Sequence, residues 1–202
     1  MSQKFTRNDI EMLSQQTVYQ GFFRLDEYRF KHRLFAGGWS EVITREVFER
    51  GHAVVVLPYD PLEDKVVLIE QIRIPIVAVT DKPWLMELVA GMIDKDETSE
   101  QVARRELQEE AGLDAVKLNY ISNYFSSPGG TSERFDFFWA QVDTRKASGI
   151  HGLSDEGEDI KVHVISRAEA YQAVCDGKIN NASTVIGLQW LQLNYTKLRA
   201  AE

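Results

Sequence analysis

The 202-residue sequence lacks several features that would identify whole classes of protein. Cys175 is its single cysteine, which excludes an intramolecular disulfide framework and a zinc site built from thiolate pairs. No apolar run approaches the roughly 20 residues that a membrane-spanning helix needs, and the first residues lack the apolar stretch of a secretory signal. We therefore expect a cytoplasmic protein that does not act at a membrane.

Basic residues are also scarce, with 23 against 31 acidic residues and a formal net charge of −8. This balance argues against nucleic acid as a partner, because affinity for phosphate backbones comes from clustered Lys and Arg. The acidic excess is uneven. Residues 94–114 contain eight acidic and three basic side chains, and residues 155–160 contain four acidic side chains and no basic one. The rest of the chain is nearly neutral, so these two stretches require an explanation.

The apolar pattern predicts strands in the first two thirds of the chain and flanking helices without regular βαβ alternation. This order predicts a mixed α+β fold or a layered α/β/α fold. The predicted strands cover residues 22–25, 28–34 (followed by a turn at 36–38), 53–57, 66–69 (after a turn at 58–61), 84–90, 119–125, 135–142 and 160–165. The predicted helices run from Thr98 or Ser99 to Ala111, from Ser166 through about Cys175 and from Thr184 to Leu198, with Thr98–Gln101 and Ser166–Glu169 as capping boxes.

The first of these helices carries an unusual concentration of carboxylates. Glu106 and Glu110 are four residues apart and share one face, with Glu109 beside them. Like charges at this spacing destabilise a helix, and near its C-terminus they also oppose the helix dipole. One explanation is a solvated acidic face with Arg105 paired to Glu109. The other is a divalent-cation site, and oxygen ligands without nearby His or Cys suit Mg²⁺ or Mn²⁺ better than zinc.

The surrounding spacing is more specific. Gly91, then Glu97, then the segment of residues 105–113 follow the pattern G-x5-E-x7-R-E-U-x-E-E-x-G-U, in which U is aliphatic. This pattern resembles the Nudix box. The resemblance implies a Nudix-type α/β/α sandwich with a mixed sheet, and hydrolysis of a nucleoside diphosphate linked to another moiety. It implies Mg²⁺ held by Glu106 and Glu110, with Mn²⁺ as a substitute, and structural roles for Gly91, Glu97, Arg105 and Gly112.

Within the box, Glu97 and Arg105 are expected to pair and orient the loop, or Glu97 serves the fold alone. Glu109 is expected to act in catalysis by binding the metal or a metal-bound water.

A proline downstream bears on the substrate. Pro128 lies 16 residues after Gly112, and a proline at this offset resembles the ADP-ribose pyrophosphatases of the Nudix family. The alternative is that Ser-Pro-Gly-Gly is only favourable turn chemistry. Residues 19–23, 45–53 and 70–73 share the resemblance, which extends over nearly the whole chain. It implies hydrolysis of ADP-ribose to AMP and ribose 5-phosphate. The alternatives are hydrolysis of GDP-mannose or another nucleotide sugar, and a Nudix domain that binds ADP-ribose without cleaving it.

The same resemblance assigns further residues and a quaternary structure. Residues 1–50 are expected to form a small strand-rich domain that is exchanged in a homodimer, and residues 51–202 the catalytic domain. Aromatic rings stack well on a base, and guanidinium groups pair with phosphate. The resemblance implies that Phe22 and Phe23 contact adenine and that Arg73 contacts phosphate or ribose. It implies that Met92 offers a backbone contact to the substrate. The partner subunit would contribute Arg45, Glu46 and Arg50, and the pocket would be lined by Ser127, Pro128, Gly129 and Glu133. The alternatives are core packing for the two phenylalanines and structural ion pairs for Arg50 and Arg73.

The second acidic stretch, residues 155–159, is an exposed turn on composition alone. The resemblance assigns it catalytic groups: Glu156 would deprotonate the attacking water, and Glu158 would complete a metal cluster to which Ala90 offers its backbone carbonyl. Which of the two glutamates is the base stays open at this point. A loop of this kind can close over bound substrate.

Overall fold

A computed structural model describes residues 4–94 and 96–200. It divides into two units, one formed by residues 4–52 and 125–134 and the other by residues 53–124, apart from residue 95, and 135–200. Residues 1–3, 95, 201 and 202 belong to the predicted domains 1–50 and 51–202 but lie outside the described residues. The dimerisation role of residues 1–50 stays a prediction.

In the described part of the first unit, three antiparallel strands form a sheet: β1 (Ile10–Gln20), β2 (Arg24–His32) and β3 (Ile43–Glu49), with β2 in the middle. Strand β1 is absent from the prediction, because all its side chains are exposed and no buried face imposes an alternation of apolar and polar residues. The predicted strands at 22–25 and 28–34 are parts of one strand, β2, while Phe22 and Phe23 lie in the turn before it. The predicted turn at 36–38 is confirmed by positive φ angles at Gly37 and Gly38.

The second unit contains a mixed sheet of eight described strands. Six of them follow the order β10-β11-β5-β4-β9-β8. Of the other two, β6 pairs with β5 and β7 pairs with β4. Strands β4 and β9 are parallel, and the other pairs with a determined register are antiparallel. The strands are β4 (Ala53–Asp60), β5 (Lys65–Ile72), β6 (Trp84–Glu87), β7 (Val89–Met92), β8 (Lys117–Phe125), β9 (Arg134–Gln141), β10 (Ile150–His151) and β11 (Ile160–Ser166).

Two sequence predictions in this sheet are wrong in detail. The predicted strand 84–90 is two strands, because the segment before Leu88 pairs with β5 and the segment after it pairs with β4. At the break, the Leu88 backbone N–H donates to Thr184 Oγ1 at 2.9 Å. The predicted turn at 58–61 begins too early, because β4 continues through Pro58 to Asp60. The Asp60 carboxylate then accepts hydrogen bonds from the backbone N–H groups of Leu62 and Glu63, which forms the turn after the strand.

Three described helices flank this sheet: α1 (Ser99–Ala111), α2 (Arg167–Cys175) and α3 (Ala182–Ala200). Both predicted capping boxes are present, and Gly112 ends α1 in the left-handed conformation with φ 64°. Helix α3 begins two residues before the predicted Thr184. Within residues 4–94 and 96–200, no helix combines the length and apolar character that crossing a membrane requires.

Strand β4 explains why the helices lie on both faces. Val54 and Val56 point into a core with Val102 and Leu107 of α1, whereas Val55 and Leu57 point into a second core with α2 and α3. A strand that is buried on both sides reads as a continuous apolar run rather than an alternating one. The predicted α/β/α arrangement with a mixed sheet is confirmed.

An ion-pair network ties α2 and α3 to the turn between β4 and β5. Asp64, at φ 54°, accepts hydrogen bonds from Arg167 Nε and Nη2 at 2.9 and 3.0 Å and from the Tyr59 hydroxyl at 2.7 Å. Arg199 lies 3.4 Å from the same carboxylate. Burial alone would raise the pKa of Asp64, but the hydrogen bonds from Arg167 and Tyr59 outweigh it and hold the pKa below its ordinary value.

We expect Asp64→Asn to lower the free energy of unfolding by about 2 kcal/mol at pH 7, because Arg167 loses its charged partner. Asn tolerates the positive φ, so backbone strain does not contribute, and the change removes the charge and one of the two oxygens that accept from Arg167. Since the folded-state pKa is lowered, the stabilisation is complete above the unfolded pKa of about 3.9 and disappears as the pH falls through the folded value. Urea unfolding should show a constant difference between pH 5 and 7 that shrinks below about pH 4. Asp143→Asn, whose partner Arg145 is exposed, is the matched control.

Candidate active site

The acidic helix α1 does not present a simply solvated face. Its apolar side chains, including Val102 and Leu107, are fully buried in the core next to the sheet. Glu110 is only 3% exposed, and the side chain of Glu106 is 13% exposed. The ion pair expected for a solvated acidic face is formed, since Arg105 Nη1 lies 2.9 Å from Glu109 Oε2. The burial of two neighbouring carboxylates, however, points to a site.

Glu110 is held against strand β7. Its Oε2 accepts a hydrogen bond from the Ala90 backbone N–H at 2.9 Å. Burial raises the pKa of Glu110 to about 8, the Ala90 hydrogen bond opposes the rise, and the charges of Glu106 and Glu158 add to it. An ionised Glu110 is therefore costly unless a positive charge is placed beside it.

Glu106 occupies the space that Gly91 leaves. A Cβ atom at position 91 would overlap the Glu106 carboxylate, so no larger residue fits without moving this side chain. Burial is the main cause that raises the pKa of Glu106 to about 7, with repulsion from Glu109 and Glu158 and an opposing attraction from Arg105. The first glycine of the box thus gives β7 a close approach to α1.

Arg105 connects the remaining carboxylates of the box. Its guanidinium binds Glu97 bidentately, at 3.2 Å from Nε and 3.1 Å from Nη2. Its Nη1 also donates to Glu106 at 2.8 Å and to Glu109 at 2.9 Å. The hydrogen bonds to Glu97 are the largest cause of a raised Arg105 pKa. The predicted Glu97–Arg105 pair is confirmed, and it ties the loop before α1 to the helix.

The loop that carries the second acidic stretch approaches the same helix. The Glu158 carboxylate accepts a hydrogen bond from the Leu153 N–H at 3.0 Å, and its charge raises the pKa of Glu106 and Glu110. Glu156 is exposed, and its backbone N–H donates to Leu153 O. The two acidic stretches therefore meet at the C-terminal half of α1.

The carboxylates are not assembled as a preformed metal cluster. Within residues 4–94 and 96–200, no three His, Cys, Asp or Glu side chains are arranged so that they could hold a metal ion. The contacts explain this: Glu106 is paired with Arg105, and Glu110 with the Ala90 N–H. The donor chemistry nevertheless fits a hard divalent cation, because the proposed ligands are oxygen atoms and the raised pKa values of Glu106 and Glu110 show that the arginines offset only part of the crowded negative charge.

Arg73 lies at the same edge of the site. Its Nε and Nη2 both lie close to Oε2 of Glu87 on β6, at 2.8 and 2.7 Å, and its charge opposes the rise in the pKa of Glu110. The structural ion pair considered for Arg73 is thus present. Glu87, 8% exposed, is a residue that the sequence prediction missed, although an isolated carboxylate within the apolar run 84–90 was a signal. Met92 ends β7 and is partly exposed.

The first unit gathers other predicted substrate residues around aromatic rings. Phe23 makes edge contacts with Phe22 and Phe48, and the Arg50 guanidinium lies 5.3 Å from the Phe23 ring centroid. Phe22 is 87% exposed, so core packing is wrong for it. These phenylalanines line an open apolar depression with Tyr19 and Leu25. Phe48, between two arginines of the predicted set, is an addition to the sequence prediction.

The loop of residues 126–133, which contains Pro128, belongs to the same unit. Arg50 Nε lies 3.1 Å from the buried carboxylate of Glu133, which is the ion pair considered as an alternative for Arg50. The Ser127 carbonyl accepts from the N–H groups of Gly130 and Thr131, and this turn exposes Ser127, Pro128 and Gly129. On β3, Arg45 and Glu46 are exposed, and Arg45 contacts only the Thr44 carbonyl by a described hydrogen bond.

Comparison with known proteins identifies the family. A family model described as NUDIX domain matches residues 49–182, and the chain belongs to the Nudix family. A solved structure described as an ADP compounds hydrolase has the same fold, with a TM-score of 0.71 at 22% identity over 98% of this chain and 100% of that chain.

Curated relatives are similar over nearly the whole length. The ADP-ribose pyrophosphatase of Escherichia coli (strain K12) is 56% identical over 195 residues, which are 96% of this chain and 93% of the relative. That of Haemophilus influenzae is 52% identical over 200 residues, 98% of this chain and 92% of the relative. A GDP-mannose pyrophosphatase from Yersinia pestis is 33% identical over 197 residues, 96% and 95% of the two chains.

Proposed function

We propose that this Nudix hydrolase cleaves the pyrophosphate bond of ADP-ribose to give AMP and ribose 5-phosphate. The observation that carries the proposal is the folded Nudix box, in which Glu106 and Glu110 are buried together at the edge of β7 with Glu158 close enough to raise the pKa of both. The substrate follows from the identity to ADP-ribose pyrophosphatases, which is much higher than the identity to a GDP-mannose pyrophosphatase.

The metal of the proposal is Mg²⁺, with Mn²⁺ as a substitute. Glu106, Glu110, Glu158 and the Ala90 carbonyl would hold it. Support comes from the oxygen-only donor set and from the raised pKa values of Glu106 and Glu110, which a bound cation would bring down. When bound, the ion neutralises charge on the pyrophosphate and polarises the attacking water.

The chain's own residues supply the remaining chemistry. Glu156 accepts a proton from the attacking water, and its exposed position in a loop allows it to reach a bound substrate. Glu109 is a second catalytic carboxylate, adjacent to the ligands and held by Arg105. Arg73 contacts phosphate or ribose through the guanidinium nitrogen that does not bind Glu87. Met92 contacts the substrate through its backbone.

We expect residues of the first unit to bind the adenine of the substrate and to form the dimer contact. Phe22 and Phe23 stack on adenine, for which an exposed ring beside a second ring provides a face. Residues 1–50 form the exchanged domain of a homodimer, and residues 51–202 form the catalytic domain. The other members of the proposed pocket are Arg45, Glu46 and Arg50 from the partner subunit, and Ser127, Pro128, Gly129 and Glu133.

We assign the protein to the cytoplasm, which is consistent with its single cysteine. We expect its partner to be a small-molecule substrate and not nucleic acid or a membrane, which is consistent with its net charge of −8.

The decisive experiment compares kcat/KM for ADP-ribose and GDP-mannose at the same Mg²⁺ concentration, with product analysis by chromatography. We expect ADP-ribose to be preferred and AMP to appear in equimolar amount with ribose 5-phosphate. Faster turnover of GDP-mannose would refute the substrate. Binding of ADP-ribose in calorimetry without any product would identify a non-hydrolysing sensor instead.

Gly91→Ala tests the close approach of β7 to α1. The new methyl group would displace the Glu106 carboxylate, so we expect the half-saturating Mg²⁺ concentration for turnover to rise at least about 10-fold. Gly91 has no positive φ, so backbone strain is not the cause. Thermal unfolding monitors the fold in parallel. An unchanged Mg²⁺ requirement would show that Glu106 is not a ligand in its present position.

A further inference from the structure

The loop that carries Glu156 and Glu158 is attached to the end of α1 at its first residue. The Gly152 backbone N–H donates to the Glu109 carbonyl at 3.1 Å. Carbonyls in the last turn of a helix have no partner within the helix, so this oxygen is available for a tertiary contact. The loop therefore begins from a defined point on the Nudix helix.

His151, immediately before this loop, packs against the glycine that ends α1. Its Cε1 would lie 2.5 Å from a Cβ atom at Gly112, so the imidazole occupies the space that the missing side chain leaves. Its Nε2 donates to the Ser148 carbonyl at 2.8 Å, which orients the ring. Gly112 thus has two requirements in this chain: its left-handed conformation and the room that it leaves for His151.

The next contacts lead from His151 to Glu158. Gly152 has φ 98°, and a Cβ atom there would lie 2.6 Å from Glu158 Cβ, so the Glu158 side chain packs directly on this glycine. The Leu153 N–H then holds the Glu158 carboxylate at 3.0 Å. Strand β10, which contains His151, is itself attached to β11 by two residue pairs. A displacement of His151 would move both groups that hold Glu158.

We propose that His151 is a positioning residue, which sets the start of the loop on α1 and thereby keeps Glu158 beside Glu106 and Glu110. The inference rests on the proposed function for its catalytic consequence, but the structural linkage is independent of the substrate. The described contacts of His151 are with Gly112 and Ser148, so it acts on the proposed ligand through Gly152 and Leu153.

The test uses the full chain and three variants. His151→Ala removes the ring, and His151→Gln retains a terminal N–H group that can donate to Ser148. His163→Ala is the matched control, since His163 lies on neighbouring β11 and its ring pairs with Glu70 on β5 at 2.8 Å. Hydrogen–deuterium exchange of the peptide 152–159, Mg²⁺ titration calorimetry without substrate and steady-state kinetics are measured for each.

For His151→Ala we expect exchange at the Gly152 and Leu153 amides to accelerate about 10-fold or more, and the dissociation constant for Mg²⁺ and the half-saturating Mg²⁺ concentration to rise about 10-fold. The kcat should fall by a similar factor, while KM for ADP-ribose at saturating Mg²⁺ changes less than about two-fold. His151→Gln should recover part of each loss, and His163→Ala should match the wild type.

Unchanged exchange in the loop of His151→Ala, or faster exchange with unchanged Mg²⁺ affinity, would overturn the proposal. Equal effects in His163→Ala would also overturn it, since general loosening of the sheet would then be the cause. If the wild type does not hydrolyse ADP-ribose, the proposed function fails, whereas the exchange and Mg²⁺ measurements still decide the role of His151.

Discussion

Glu110→Gln is expected to lower Mg²⁺-dependent turnover of ADP-ribose by at least about 100-fold, because a neutral amide replaces the most buried of the proposed ligand carboxylates. The amide oxygen can still accept the Ala90 N–H, so the tie between β7 and α1 survives. Burial raises the pKa of Glu110 to about 8, which means that its ionised form disfavours folding near neutral pH. A neutral substitute should therefore not lower the melting temperature.

Glu100→Gln provides the control for this substitution. Glu100 lies in the first turn of the same helix, with an exposed side chain paired to Arg104. It is expected to retain wild-type turnover and Mg²⁺ affinity, since a surface pair of this kind contributes little. The measurements are kcat over a Mg²⁺ series, calorimetric Mg²⁺ binding and thermal unfolding. Near-normal turnover by folded Glu110→Gln would refute its role as a ligand.

Local signals made helix α1 predictable. The Thr98–Gln101 capping box, the buried residues at helical spacing and Gly112 at the end all act within a few residues of one another. The spacing of Glu106 and Glu110 likewise follows from helix geometry alone. The resemblance to the Nudix box was confirmed by the family match, because the pattern constrains nine positions over a short span.

Features that depend on distant partners were not predictable in this way. The break between β6 and β7 is stabilised by Thr184, which lies 96 residues after Leu88. Arg73 is oriented by Glu87, and Arg50 faces Glu133 across 83 residues. A pattern of apolar residues contains no information about such pairs, so the sequence prediction of substrate contact left a structural ion pair open as the alternative for both arginines.

The relation between the two acidic stretches lies between these cases. Their excess charge was visible in the sequence, but the proximity of Glu158 to Glu106 and Glu110 was implied only by the resemblance to the Nudix family. That proximity depends on the short strand β10 and on the contact of His151 with Gly112, neither of which has an apolar pattern. The sequence suggested the pair between Arg105 and Glu109, but not that the same guanidinium also binds Glu106.

Glu156→Gln is expected to lower kcat by about 100-fold or more, since the loss of a general base removes an acceleration of about 100- to 10,000-fold. KM for ADP-ribose and the Mg²⁺ affinity should change by less than about two-fold, because Glu156 is exposed and is not a proposed ligand. Glu158→Gln should instead weaken Mg²⁺ binding about 10-fold or more, as its carboxylate lies near Glu106 and Glu110.

Asp155→Asn is the matched control, because Asp155 is the exposed acidic neighbour of Glu156 in the same loop. It should keep wild-type kcat, since neither base nor ligand is removed. Single-turnover kinetics separate the chemical step from product release for all three variants. If Glu156→Gln retained more than about a tenth of kcat while Glu158→Gln lost it with normal Mg²⁺ affinity, the two assignments would be reversed. The charge of Glu158 raises the pKa of Glu106 and Glu110, which favours Glu158 as the metal ligand. The exposure of Glu156 favours it as the base.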